Sequence, residues 1–137
     1  HLELEITERL ILDNTIETAD ILQRLDAMGV HLSVDDFGTG YSALGYLKSY
    51  PFDTLKVDKS FVRDVITEVE DASLVKAIIN MAHSLGLKVI AEGVEEEAQR
   101  DFLRQEGCDY AQGYFYSRPV PEADFLEWVM ARKHKVE

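Results

Sequence analysis

Only one cysteine, Cys108, occurs in 137 residues, so no disulfide can form within the chain and a reducing, cytoplasmic compartment is expected. The thiol itself is expected as a small, buried or half-buried apolar side chain. Positive charge is scarce too: 14 lysines and arginines face 26 aspartates and glutamates, a formal net charge of −12. That balance argues against general binding to a DNA or RNA polymer, which needs a basic footprint. It leaves room for a small phosphate ligand held through metal ions. The basic cluster Arg132-Lys133-His134-Lys135 is expected to cap the last helix. No apolar run approaches the ~18 residues of a membrane span, and no signal peptide is visible. A whole (β/α) barrel of ~250 residues does not fit this length. There is no initiator methionine, and the opening His1-Leu2-Glu3-Leu4-Glu5 already reads as a strand. These features predict one partial domain over residues 1–137, taken from a longer polypeptide.

What is present is a regular change of period. Residues 2–7 alternate strictly, as a strand does, and Ile16, Ala19, Leu22, Leu25 and Met28 then recur at helical spacing until Gly29. The pairing returns with a strand over 30–35 and a short helix over 42–49 that ends before Pro51. A strand over 54–58 precedes a weak helix over 61–66 and a strong one over 72–85. A strand over 88–92 leads to a helix over 95–106, and one over 109–113 leads to a last helix opened by Pro121 and carrying Phe125, Trp128 and Val129. Such β-then-α units imply a parallel sheet, closed as a doubly wound sheet or as an arc of a (β/α)8 TIM-type barrel. Parity favours the arc. One strand face is apolar (Leu2, Leu4, Ile6; Leu32, Val34; Leu55, Val57), and the other is polar (Glu3, Glu5, Thr7; His31, Ser33, Asp35; Thr54, Lys56, Asp58). Strands covered by helices on both faces read apolar on both. The fourth and fifth strands fit less cleanly, with Ile90 sharing the parity of Glu92.

The chemistry gathers at the strand ends. The stretch Val34-Asp35-Asp36-Phe37-Gly38-Thr39-Gly40-Tyr41-Ser42 places two adjacent carboxylates before a glycine-rich turn. Vicinal aspartates repel, so they hold a cation or stay in water; a solvated turn is the plain alternative. Glu5, Lys56, Glu92 and Gln112 stand at the ends of the other strands, on the face where barrels and open sheets alike put their chemistry. Each has a duller reading. Glu5 alone is a surface strand residue, and Lys56 alone neutralises Asp58 or snorkels from an edge. Glu92 and Gln112 each precede a glycine and suit turns, and Glu8 and Glu95 suit first helical turns. Together, the oxygen-rich set suits two hard divalent ions, Mg²⁺ or Mn²⁺, ~4 Å apart, serving in-line attack of water on a phosphodiester. Lys56 would steady the nucleophile or the charge developing on phosphorus.

Five motifs carry a family resemblance. Glu3-Leu4-Glu5-Ile6-Thr7-Glu8, Asp35-Asp36-Phe37-Gly38-Thr39-Gly40-Tyr41-Ser42, Lys56-Val57-Asp58-Lys59-Ser60-Phe61, Ala91-Glu92-Gly93-Val94-Glu95 and Gln112-Gly113-Tyr114 resemble, in order, the EAL family of bacterial cyclic di-GMP phosphodiesterases. The resemblance implies a (β/α)8 barrel that hydrolyses cyclic di-GMP to linear pGpG. It implies that Glu5 and Asp35 ligate one metal, with Asp35 bridging to a second held by Asp36, while Glu92 holds that metal's waters. Lys56 would contact the catalytic water, Gln112 would place water or substrate, and Glu8 would brace the glycine-rich loop, which couples the site to dimerisation.

Two expected residues are absent, the glutamate of the signature Glu-Ala-Leu and an asparagine, because the N-terminal part of the barrel is missing. The chain alone is therefore expected to be inactive or nearly so. An arc with open edges is expected to fold poorly or to pair with a second copy, through those edges or the glycine-rich loop. A sensor or a GGDEF-type domain upstream fits the resemblance. The competing reading is a catalytically inactive EAL-like domain that senses cyclic di-GMP or docks on a protein. A Schiff-base lyase using Lys56 is the third, opposed by carboxylates that would raise the lysine pKa.

Overall fold

The computed structural model describes residues 2–12, 16–39 and 44–133. Along them run β1 (Glu3–Thr7), α1 (Glu8–Leu12), α2 (Ile16–Ala27), β2 (His31–Phe37), α3 (Leu44–Ser49), β3 (Thr54–Val57), α4 (Lys59–Arg63), α5 (Val69–Ser84), β4 (Lys88–Ala91), α6 (Glu97–Gln105), β5 (Tyr110–Ala111) and α7 (Glu122–Lys133). Every strand pairing is parallel, and the strands lie in sequence order, β1-β2-β3-β4-β5. A doubly wound sheet reverses its order at a switch point; a sheet that never reverses is an arc of a (β/α)8 barrel. Among the described residues β1 and β5 each have one neighbour, so the arc has two open edges.

The two strand faces differ as their parity requires. Leu32, Val34, Leu55, Val57, Val89 and Ala91 are fully buried in a core shared with Val62, Val75, Ile78, Ile79 and Ala82 of α4 and α5. Each buried aliphatic side chain stabilises the fold by about 1.5–3 kcal/mol, and Leu55→Ala in this layer would cost about 2–5 kcal/mol. The opposite face carries buried polar groups: Ser33, whose hydroxyl donates to the Glu3 carboxylate, with Thr54 and Lys56. Ile90 lines a hollow with Glu3 and Thr54, so it is an apolar residue on the polar face, which explains the uneven fourth strand.

Several boundaries depart from the sequence reading. Helix α1 follows β1 without a loop and is too short, at 5 residues, to show a helical period. Helix α5 starts at Val69 rather than 72, because its first turn is acidic (Glu70, Asp71) and adds nothing to the apolar stripe. Helix α6 starts at Glu97, leaving Glu95 outside it. Strand β5 is only 2 residues long. Gly40, Tyr41, Ser42, His134 and Lys135 lie outside the described residues. Arg132 places its guanidinium 3.7 Å from the centre of the Trp128 ring.

Two aspartates repeat one device at the N-terminal ends of the strands. Asp53 precedes β3, and its Oδ2 accepts the Leu32 N–H of β2 at 2.9 Å, with His31 Nδ1 at 3.6 Å. Asp109 precedes β5, and its Oδ2 accepts the Val89 N–H of β4 at 2.9 Å and meets His83 Nε2 at 2.7 Å; Lys88 Nζ lies 3.3 Å from Oδ1. Burial opposes ionisation of Asp109, but His83, the Val89 amide and Lys88 outweigh it and hold the carboxyl below its usual range. Beside it, burial pushes the Cys108 thiol up to about 11, as suits a half-buried structural cysteine.

Candidate metal centre

A bulge builds the site. Between β2 and β3 the register slips from Val34↔Leu55 to Phe37↔Val57, so β2 carries one extra residue. Asp36 absorbs it with φ of 56°, a left-handed conformation that Asp tolerates better than most residues. In an unbroken strand Asp35 and Asp36 would point to opposite faces. With the bulge, Phe37 returns to the core, and carboxylate oxygens of Asp35, Asp36 and Glu92 lie within 4.8 Å of one another. Ligand oxygens around an octahedral Mg²⁺ stand roughly 3–4 Å apart at metal–oxygen distances of ~2.1 Å. The trio therefore fits a hard divalent cation with a small contraction. The Asp36 N–H donates to Asp35 Oδ1 at 2.9 Å, which fixes one carboxylate against the bulge.

Lys56 lies beside this group on β3 and is 3% exposed. Its ammonium donates to Glu5 Oε1 and sits 2.7 Å from Glu92 Oε1. It does not serve Asp58, the partner its sequence position suggested. Burial by itself would lower the Lys56 pKa, but the bonds to Glu5 and Glu92 outweigh it and hold the pKa at about 12. A lysine so firmly protonated is a fixed cation and no Schiff-base nucleophile. Glu92 is also pushed upward, for the opposite reason: burial, reinforced by Asp35 and Glu5, outweighs the lysine. The pair favours both charges equally; Lys56 ends with the net gain because it has two carboxylate partners, whereas Glu92 is opposed by its burial and by Asp35 and Glu5. Asp36 is raised as well, by burial first and then by Asp35 and Asp58.

The remaining residues sit around this centre. Glu5 reaches it through Lys56 and is not one of the three converging carboxylates. Glu8, the first residue of α1, is buried and accepts the Gly38 N–H at 3.1 Å, tying α1 to the turn after β2. Gln112 lines a cleft of about 460 Å³ with Asp36, Glu92, Asp58, Lys59 and Glu95. A larger hollow of about 550 Å³ lies at the other end of the strands, against Asp53 and His31; it has no such convergence of carboxylates.

Asp58, Lys59 and Glu95 were not singled out as site residues from the sequence. Asp58 was legible by position, being the first residue beyond β3 as Glu92 is beyond β4. It caps α4, accepting the Ser60 N–H at 2.8 Å, and its carboxylate meets that of Asp36. The sequence pattern places Glu95 in a first helical turn, whereas the helix begins two residues later. Two glycines set how closely the cleft walls approach. A Cβ on Gly93, whose φ is +72°, would lie 2.5 Å from Lys59 Cβ, and one on Gly113 would lie 2.1 Å from the Val94 carbonyl oxygen.

Comparison with known proteins places the chain in a family. Residues 1–119 match the EAL domain family. The chain is 50% identical over 130 residues to the cyclic di-GMP phosphodiesterase NbdA of Pseudomonas aeruginosa, which covers 95% of the chain and 17% of NbdA. It is 46% identical over 129 residues to the signaling protein YkoW of Bacillus subtilis, covering 94% of the chain and 16% of YkoW. Among solved structures, the PaMucR phosphodiesterase in complex with c-di-GMP superposes with a TM-score of 0.87 at 45% identity, over 91% of this chain and 51% of that one. A manganese and cyclic di-GMP complex of BlrP1 from Klebsiella pneumoniae gives 0.79 at 33% identity, over 86% and 30% of the two chains. The chain thus spans under a fifth of these curated relatives and about half of the PaMucR chain. No helix among the described residues is long and apolar enough to cross a membrane.

Proposed function

The chain belongs to the EAL domain family, and on that premise we propose that it forms the C-terminal part of a metal-dependent phosphodiesterase domain that hydrolyses cyclic di-GMP to linear pGpG. The observation that carries the reading is the convergence of Asp35, Asp36 and Glu92 beside the buried cation Lys56. Carboxylates brought together by a bulge repel one another unless a cation joins them. Two Mg²⁺ or Mn²⁺ ions, when bound, would polarise the phosphodiester and lower the pKa of the attacking water.

This chain's own residues would do the rest. Glu5 and Asp35 would hold one ion, and Asp35, Asp36 and Glu92 the other. Lys56 stays protonated across the physiological range, so it contributes fixed positive charge where the attacking oxygen and the phosphoryl group meet. Gln112, at the cleft rim, orients water or substrate by its amide. Glu8 holds the Gly38 turn and with it the bulge that aims Asp35 and Asp36. Among the described residues the sheet is an arc with two open edges, so the chain by itself is expected to turn over slowly or not at all, alone or paired with a second copy.

The test is hydrolysis of cyclic di-GMP with Mg²⁺ or Mn²⁺, by this chain and by the same protein extended upstream to a full barrel. Turnover by the longer form only, abolished by Glu5→Ala, supports the reading. A longer form that binds the nucleotide without cleaving it would replace it with a sensor or interaction module.

A further inference from the structure

Gln99 is a glutamine 4% exposed on the inward side of α6, outside the motifs that define the metal centre. Its Oε1 accepts the N–H groups of Glu95 at 2.8 Å and Glu96 at 3.0 Å, and its Nε2 donates to the Arg63 carbonyl at 3.0 Å. The first two bonds do what a residue three positions into a helix often does, satisfying amides that have no partner within the helix. The third does not. It leaves α6 and fastens the end of α4, 36 residues earlier in the chain.

Those two ends belong to the two walls of the cleft. The loop after β4 carries Glu92 and Glu95, and the start of α4 carries Asp58 and Lys59. At that start the walls touch where Gly93 packs on Lys59; at the far end of α4 they are joined by Gln99. Helix α4 is thus held at both ends against the loop that bears Glu92. A helix gripped at one end can pivot, and a pivot here would move Lys59 and Asp58, whose carboxylate meets that of Asp36, relative to the loop that bears Glu92. We propose that Gln99 is a positioning residue that sets the separation of the two cleft walls, and so the affinity of the site for its divalent ion. The inference rests on the metal-site reading above.

The test uses the full-length protein with two variants. Gln99→Glu keeps the acceptor for Glu95 and Glu96 but removes the donor to Arg63; Gln99→Met removes all three bonds at similar volume. Gln105→Met, at an exposed position of α6, is the control. Mn²⁺ binding is followed by the electron paramagnetic resonance of the free ion, beside thermal melts and turnover. Both Gln99 variants are expected to bind Mn²⁺ about tenfold more weakly, as when a residue supporting a ligand is lost, with turnover restored by excess Mn²⁺ and the control unchanged. Affinity within about twofold of the parent in both variants, whatever the melts show, would make Gln99 a plain helix cap and overturn the proposal. A parent that binds Mn²⁺ but cleaves nothing defeats the phosphodiesterase reading alone, since the affinities still decide the role of Gln99. A parent that binds no Mn²⁺ defeats both.

Discussion

The two ends of the sheet use the same side chains to opposite effect. At the N-terminal ends, Asp53 and Asp109 each face a backbone N–H of the neighbouring strand and a cationic or ionisable base. Both carboxylates accept a backbone N–H, and the Asp109 carboxyl falls below its ordinary range. At the C-terminal ends, Asp35, Asp36 and Glu92 face one another, with the Lys56 ammonium against Glu92. There Asp36 and Glu92 are pushed upward. A carboxylate whose surroundings favour its charge is holding the fold together. One whose surroundings oppose its charge, set in a cleft, marks a candidate functional site.

That contrast can be broken most directly at the bulge. In the protein extended to a full barrel, Asp35→Asn is expected to lower cyclic di-GMP hydrolysis more than about a hundredfold, with a melting temperature no lower than the parent's. A coincident fall in melting temperature would show that Asp35 is structural, like Asp109. The opposite end should respond in the opposite way. Asp109→Asn weakens the bonds to the Val89 amide and His83 and is expected to destabilise the fold by about 1–3 kcal/mol, read as a shift in urea midpoint at unchanged slope.

A smaller effect separates the ends by sign. Without added metal, Asp36→Asn removes a like charge and is expected to raise stability by a few tenths of a kcal/mol, within the range of isolated surface charge changes. A loss would mean that Asp36 makes a stabilising contact that the geometry does not show. The subtlest test is pH. Because the folded Asp109 carboxyl lies below its unfolded value, its contribution is complete above the ordinary carboxylate pKa of about 3.9 and is lost as pH falls through the folded value. The stability gap between the parent and Asp109→Asn is therefore expected to be constant from neutral pH to about pH 5 and to narrow below about pH 4. A gap that stays constant below about pH 4 would show that the Asp109 charge is not what stabilises this end.

Much of this was legible before any coordinates. The alternation of Leu4 and Ile6, of Leu32 and Val34, and of Leu55 and Val57 against polar neighbours marks strands with one covered face, because side chains alternate along a strand. Gly29, Gly86 and Gly107 mark where helices stop. The residues of the centre were legible as types at strand ends. Their partners were not: Lys56 was as close in sequence to Asp58 as any ion pair requires, yet it turns to Glu5 and Glu92 across the sheet. Helix α1 and the start of α5 were hidden because short or acidic segments carry no apolar period.

The sequence by itself determined the order of strands and helices, the face each strand would bury and the chemical types available at the strand ends, since these follow from local periodicity and turn chemistry. Tertiary structure alone decided the bulge at Asp35–Asp36, the choice of partners for Lys56 and the clamp from Gln99 to Arg63. The physical reason is that a bulge is a register slip between two strands, and an ion pair or a buried amide is settled by whichever groups packing brings within hydrogen-bonding reach. Neither quantity exists until segments distant in the chain have met.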